Sequence, residues 1–225
     1  MTHDDLDLNS SGMPGRPEGE RPAGRLESAG LDPETADSLQ GCFLILSLLF
    51  RYPEAEVYQR LSEYLQDFDP LFHAYAGRSP RLIPQEELQA EYVRLFVNNR
   101  GFVPVIPYLS CYRDSDRLLA GNSLKRIRTQ MKKTGFVLDE ELGELEDHLA
   151  VLLEFCARIF SEPSRGEPPA EDEGGSLQAL LQPCAGYLLE AAPTMSGLIR
   201  EHAQYDIYRV AGETLENFLL DLGLQ

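Results

Sequence analysis

From residue 31 onward, apolar side chains recur mostly at steps of three and four, the period of helices with one buried face. Asp32-Pro33-Glu34 opens the first helix, with Asp as N-cap and Pro at the first helical position. That pattern runs to about Arg51 and stops before Pro53. Pro53 opens a second helix, with Val57, Leu61, Tyr64, Leu65 and Phe68 on one face. A short one covers Leu71 to Gly77. Pro84 starts a fourth, which puts Leu88, Tyr92, Leu95 and Phe96 at helical spacing.

A basic helix is predicted over about Asp116 to Thr134, carrying Lys125, Arg126, Arg128, Lys132 and Lys133, with Gly135 as its C-terminal cap. An acidic helix follows. Asp139 to Asp147 holds acids and no base, and Leu142, Leu145, Leu149, Leu152, Cys156 and Ile159 form one stripe. Three more helices are expected at roughly 176–191, 193–203 and 205–222.

Between these elements lie segments that break the pattern. "NNRGFVPVIPYLSCYRD", Asn98 to Asp114, has two prolines and a glycine that forbid a regular helix, yet its large side chains predict that it lies on the body. "GFVPVIPY" is the nearest approach to a strand, and its prolines argue against one. Residues 1–30 are rich in Gly, Pro, Ser and acids and predict a disordered tail. "SEPSRGEPPAEDEGGS", Ser161 to Ser176, reads as a flexible linker or long loop. The expected fold is therefore all-α: one helical bundle of about eight or nine helices, with a domain over 31–225 that contains the 161–176 loop.

Composition narrows what such a bundle does. Apolar residues make up 43 % of the chain, enough for a packed core. No stretch reaches the ~18 apolar residues of a membrane span. The N-terminus, MTHDDLDLNSSG, carries acid where a secretory signal carries positive charge, so the expected compartment is the cytoplasm. The net charge of −17 repels nucleic acid and suits a basic peptide. Cys42, Cys111, Cys156 and Cys184 are widely spaced with no CxxC pair, so four reduced thiols, mostly buried, are expected rather than a zinc site.

The stretch "GELEDHLAVLLEF" holds the candidate chemistry, because Asp147 and His148 sit where an acidic run meets an apolar one. As a catalytic dyad the pair is poorly arranged: adjacent helical residues point about 100° apart. No GxSxG, P-loop or Gly-rich phosphate cradle accompanies it. Glu144 and His148, four apart, share a helical face, but His3, His73 and His202 are isolated, so no metal site is expected. The alternatives are a hydrogen-bonded His at a helix start, a helical hydrolase or nucleotide-binding enzyme using Asp147 and His148, a regulatory helical adaptor, and the rim of a peptide-binding groove. For the last, Phe102, Val103, Val105, Ile106, Tyr108 and Tyr112 on the loop, and Tyr92, Leu95 and Phe96 before it, supply apolar and aromatic groups.

The ordered series "EYVRLFVNN", "PYLSCY", "ELEDHLAVLLEF" and "AQYDIYRVAGETLENFL", from Glu91 to Phe218, resembles the TorD/DmsD/NarJ family of redox-enzyme maturation chaperones. The resemblance implies an all-α, non-enzymatic chaperone, and no cofactor or metal of its own is expected. It would bind the twin-arginine leader and/or the apo form of a molybdopterin-dependent oxidoreductase subunit. It would thereby assist cofactor insertion and delay export, as a monomer or a domain-swapped dimer. Carried over onto matching positions, the leader-binding residues implied are Tyr92, Leu95, Phe96, Tyr108, Tyr112, Glu144, Leu145, Asp147 and His148. Leu145 stands where the family motif has Pro, which predicts a helix that begins earlier. The chain has no Trp, and Pro104 and Pro107 stand for the double Pro of the family loop.

Overall fold

The structure, a computed structural model, describes residues 31–113, 122–133, 136, 138, 145–161 and 177–223. The tail at 1–30, the stretch 162–176, Gly135 and Glu144 lie outside the described residues. Within them the secondary structure is helical, and the only extended pairings are isolated bridges at Asn99–Phe102 and Tyr108–His148.

The first helices follow the sequence closely. α1 spans Pro33–Leu49, and the Asp32 carboxylate accepts the Thr35 amide at 2.9 Å, as an N-cap should. α2, Ala55–Tyr64, tightens into a 3-10 turn at Leu65–Phe68 and is followed by α3, Asp69–Ala76. Gly77 ends α3 at φ 71°, a left-handed conformation in which any side chain would be strained. α4, Gln85–Tyr92, continues as a π-turn over Val93–Val97, closed by the Asn98 amide on the Val93 carbonyl at 2.8 Å. That turn departs from the regular helix expected there. It rotates the chain so that Leu95 and Phe96 both face inward, while Val93 and Val97 face out.

The short α5, Ser110–Arg113, ends the Pro-containing loop, and α6 covers Asn122–Lys133. α7 runs Leu149–Ser161 and packs along α1 at the centre of the bundle. Its start corrects the expected acidic helix: Leu145–Asp147 form a turn and His148 a bridge, so helix begins only at Leu149. The reason is that the Asp147 carbonyl and the Leu149 amide are committed to another segment, described below. α8, Leu177–His202, replaces two expected helices by one. Pro193 lies inside it, on the exposed side. Proline interrupts the local hydrogen bonding there, but Ala191, Ala192, Met195, Ser196 and Ile199 are buried around it, and packing carries the helix through. α9, Asp206–Asp221, packs against α8 and α3.

The core is aromatic at its centre. Phe43 of α1 stacks on Phe160 of α7 (centroids 5.9 Å apart) and meets Phe218 of α9 edge-on at 5.2 Å. Gly41 is required by packing: a Cβ there would come within 3.0 Å of the Phe68 ring. The four cysteines are not in disulfides; Cys111, Cys156 and Cys184 are buried and Cys42 half-buried.

Candidate functional site

The residues of interest fall into two groups, joined by the loop at 98–112. The first group is on α4 and its π-turn. Tyr92, Leu95 and Phe96 are 4 %, 0 % and 4 % exposed and therefore belong to the core. Phe96 packs edge-on against Phe50 and Tyr208, with centroids 6.1 and 5.4 Å away. Tyr92 lies 5.0 Å from Phe96 and 5.5 Å from Tyr52. The Leu95 carbonyl accepts the Val105 amide at 3.0 Å, which ties the loop to the π-turn. The apolar groups that do reach solvent here are Tyr52, Val93, Val97, Phe102 and Val103. Sequence reasoning passed over Tyr52, Val93 and Val97. The i, i+4 spacing of the two valines, opposite the buried stripe, was the available signal.

The second group is where the loop meets the turn before α7. The Leu109 amide donates to the Asp147 carbonyl at 3.0 Å, and the Leu149 amide donates to the Pro107 carbonyl at 2.8 Å. The Ser110 amide donates to Asp147 Oδ2 at 3.1 Å. The Asp147 carbonyl and the Leu149 amide thus serve the loop, and the helical ladder starts at the His148 carbonyl, which accepts the Leu152 amide at 3.0 Å. Tyr108 and His148 form a bridge, and their rings meet edge-on at 5.3 Å. His148 Nδ1 accepts the Ala150 amide at 3.2 Å, which places the proton of a neutral ring on Nε2. The Ser47 hydroxyl donates to the Ala150 carbonyl at 2.8 Å and fixes this end of α7 to α1. Leu145, Tyr108 and Tyr112 are partly exposed around the contact.

Asp147 itself is wholly buried and His148 nearly so, which corrects the expectation of an acid exposed at a rim. One carboxylate oxygen, Asp147 Oδ1, and the neighbouring Ser110 hydroxyl have no hydrogen-bond partner among the described residues. Burial raises the Asp147 carboxyl above its ordinary range, against the lowering effect of the Ser110 hydroxyl and amide that face it. Its neighbour Glu146 behaves oppositely. A hydrogen-bonded ion pair with Arg128 of α6 lowers the Glu146 carboxyl. Tyr92, Leu95 and Phe96 are brought together, and so are Tyr108, Tyr112, Leu145, Asp147 and His148. Glu144 lies outside the described residues.

A third feature was not anticipated. Glu91, 2 % exposed, is held by Arg94 through two bonds, Nε to Oε2 at 2.7 Å and Nη2 to Oε1 at 2.8 Å. Its Oε1 also accepts the amides of Gln204 at 2.6 Å and Tyr205 at 3.4 Å, and Arg94 Nη2 donates to the His202 carbonyl at 2.7 Å. This ion pair clamps the α8–α9 turn onto α4. The Glu-x-x-Arg spacing in the sequence was compatible with such a pair, but only the fold brings residues 202–205 to it.

Among the described residues, no group of three or more His, Cys, Asp and Glu side chains is placed to hold a metal ion. No helix among them is long and apolar enough to cross a membrane.

Residues 51–191 match the family model described as nitrate reductase delta subunit. Among curated proteins, the chain is 26 % identical over 157 residues to the chaperone protein TorD of Vibrio vulnificus strain CMCP6, covering 67 % of this chain and 71 % of that protein. It is 25 % identical over 129 residues to the Tat proofreading chaperone DmsD of Salmonella typhi, covering 57 % of each. Among solved structures, a putative redox enzyme maturation protein from Archaeoglobus fulgidus superposes with a TM-score of 0.54 at 21 % identity, over 80 % of this chain and 93 % of that one. The last likeness establishes the shared helical fold.

Proposed function

Since the chain belongs to the nitrate reductase delta subunit family, we propose that it is a cytoplasmic, non-enzymatic chaperone of a molybdopterin-dependent oxidoreductase subunit. It binds the subunit's twin-arginine leader, its apo form or both, assists cofactor insertion and delays export. The names of its relatives, a TorD chaperone and a Tat proofreading chaperone, support this reading.

The observation that carries the leader site is the half-satisfied carboxylate of Asp147. Oδ2 holds the loop through Ser110, while Oδ1 is buried without a partner among the described residues. An unpaired buried acceptor is costly, and a guanidinium is the donor that compensates a carboxylate best. The cover over Asp147 is the loop at 102–112, attached there by three backbone donors and acceptors, so leader binding requires the loop to part from the turn. Tyr108, Tyr112 and Leu145 then line the exposed wall beside His148. Tyr92, Leu95 and Phe96 act behind it, by holding the base of the loop.

The test is calorimetric titration of an Arg-Arg leader peptide into the wild type, Asp147→Asn and His148→Gln. Binding by the wild type, with Asp147→Asn weaker by roughly 1.5–3 kcal/mol, is expected for a hydrogen bond to a charged group. A peptide with Lys-Lys in place of Arg-Arg should bind the wild type less well, because the ammonium lacks the planar fork. Equal affinities for all three proteins would remove the pair from the recognition site. Turnover of a nucleotide or phosphoester abolished in His148→Ala would favour an enzyme instead.

A further inference from the structure

Cys156 of α7 and Cys184 of α8 are both fully buried, and their sulfurs lie 2.8 Å apart. Cys184 Sγ also donates to the Leu181 carbonyl at 3.2 Å, so the proton between the two sulfurs comes from Cys156. The pair takes no part in the contacts around Asp147 or Glu91. Their separation in sequence is 28 residues, and the stretch outside the described residues lies between them.

We propose that Cys156 and Cys184 form an oxidation site, at which a small peroxide converts the two thiols to a disulfide that ties α7 to α8. The geometry supplies the requirement that is hardest to meet, two sulfurs already opposed on packed helices. In the reaction one sulfur, as thiolate, attacks the peroxide, the oxygen–oxygen bond breaks, and a sulfenic acid and hydroxide form. The second sulfur, also deprotonated, attacks the sulfenic sulfur. A sulfur–sulfur bond forms, the sulfur–oxygen bond breaks, and a second hydroxide leaves. The two thiol protons convert both hydroxides to water. The thiols are oxidised by two electrons and one peroxide is reduced.

Burial and the contact with Cys184 push the Cys156 thiol well above its ordinary pKa. Bulky alkylating agents should therefore leave the folded pair alone, and oxidation should be slow and restricted to small oxidants. Once formed, the bridge should be retained, because the packed helices shield it and the closed loop reduces the freedom of the unfolded chain.

The experiment treats the full-length protein with hydrogen peroxide, blocks remaining thiols under denaturing conditions and digests without reduction. The expected product is a peptide pair joined through Cys156 and Cys184, two hydrogens lighter than the sum of its parts. The unfolding midpoint should rise by several degrees and return when a dithiol reductant is added. A Cys42→Ser variant, which removes the half-buried competitor, should behave like the wild type. Cys156→Ala should show no peroxide-dependent rise. Recovery of both cysteines as blocked thiols, or as separate sulfinic acids, would overturn the proposal, and that measurement on the wild type does not depend on any variant folding.

Discussion

Two carboxylates are buried among the described residues, and they are treated differently. Glu91, between α4 and the α8–α9 turn, has both oxygens engaged by Arg94 and one shared with two backbone amides. Asp147, between the loop and α7, takes the Ser110 amide on Oδ2, and its Oδ1 accepts no hydrogen bond among the described residues. Each anion gives up water on burial, which costs several kcal/mol unless other groups replace it. The Glu91 region replaces it internally and closes. The Asp147 region replaces it in part and leaves an acceptor for a donor from elsewhere. A buried acid with a full set of partners is therefore read here as a fastener, and one with a partial set as a binding group.

The sharpest way to break this contrast is at Glu91. Glu91→Ala leaves Arg94 without its carboxylate and the Gln204 amide unpaired, so a loss of about 3–5 kcal/mol is expected. Chemical denaturation would measure it. Leader affinity per folded molecule should stay unchanged. A large change in affinity at intact stability would mean that Glu91 belongs to the binding site.

Asp147→Ala should cost less, about 1–3 kcal/mol, the cost of leaving the Ser110 amide buried and unpaired. Here leader affinity should fall as well. The double variant Glu91→Ala/Asp147→Ala should show additive stability losses if the two regions are independent.

The third prediction concerns pH. Because burial raises the Asp147 carboxyl, the folded state holds its proton above the ordinary range near 4. The stability of the protonated form is present at low pH and is lost as pH rises through the raised value. Asp147→Asn cannot titrate. Its stability relative to the wild type should therefore increase from strongly acidic to neutral pH. Parallel curves of denaturation midpoint against pH would show that the carboxyl binds protons equally in both states.

The smallest effect is expected one residue earlier. Glu146 is lowered by Arg128, so its contribution is present at neutral pH and fades as pH falls through the lowered value, the opposite sign to Asp147. Arg128 is about half exposed, at 46 %. Arg128→Ala should thus cost less than about 1 kcal/mol, and the difference should shrink in high salt. A cost as large as that of Glu91→Ala would place Arg128 in a structural network and not on the surface.

The elements that were legible in the sequence are those whose signals are local. Asp32-Pro33 capped α1 as its spacing implied, and the Leu88 to Phe96 stripe was buried. Where signals conflicted, the outcome depended on partners distant in sequence. Pro193 argues for a break, and the buried face shared with α9 overrides it. The stripe from Leu142 to Ile159 argues for a helix through Asp147, and the loop at 107–110 takes the backbone groups that such a helix would need. The candidate residues were legible by type and order, but their exposure was not: Tyr92, Leu95, Phe96 and Asp147 are inside, whereas Val93, Val97 and Phe102 are outside.

Periodicity, caps and composition by themselves determined that this chain is helical, acidic and divided by Pro/Gly-rich stretches, because each of these depends on residues within a few positions of one another. Which carboxylate is fully partnered, which thiols face each other and which side of the π-turn meets water were decided by the tertiary structure alone. Glu91 meets Gln204, Ser110 meets Asp147 and Cys156 meets Cys184 only after the bundle closes. Hydrogen bonds and burial act over a few ångströms in space, and no local pattern encodes which distant backbone amide will arrive there.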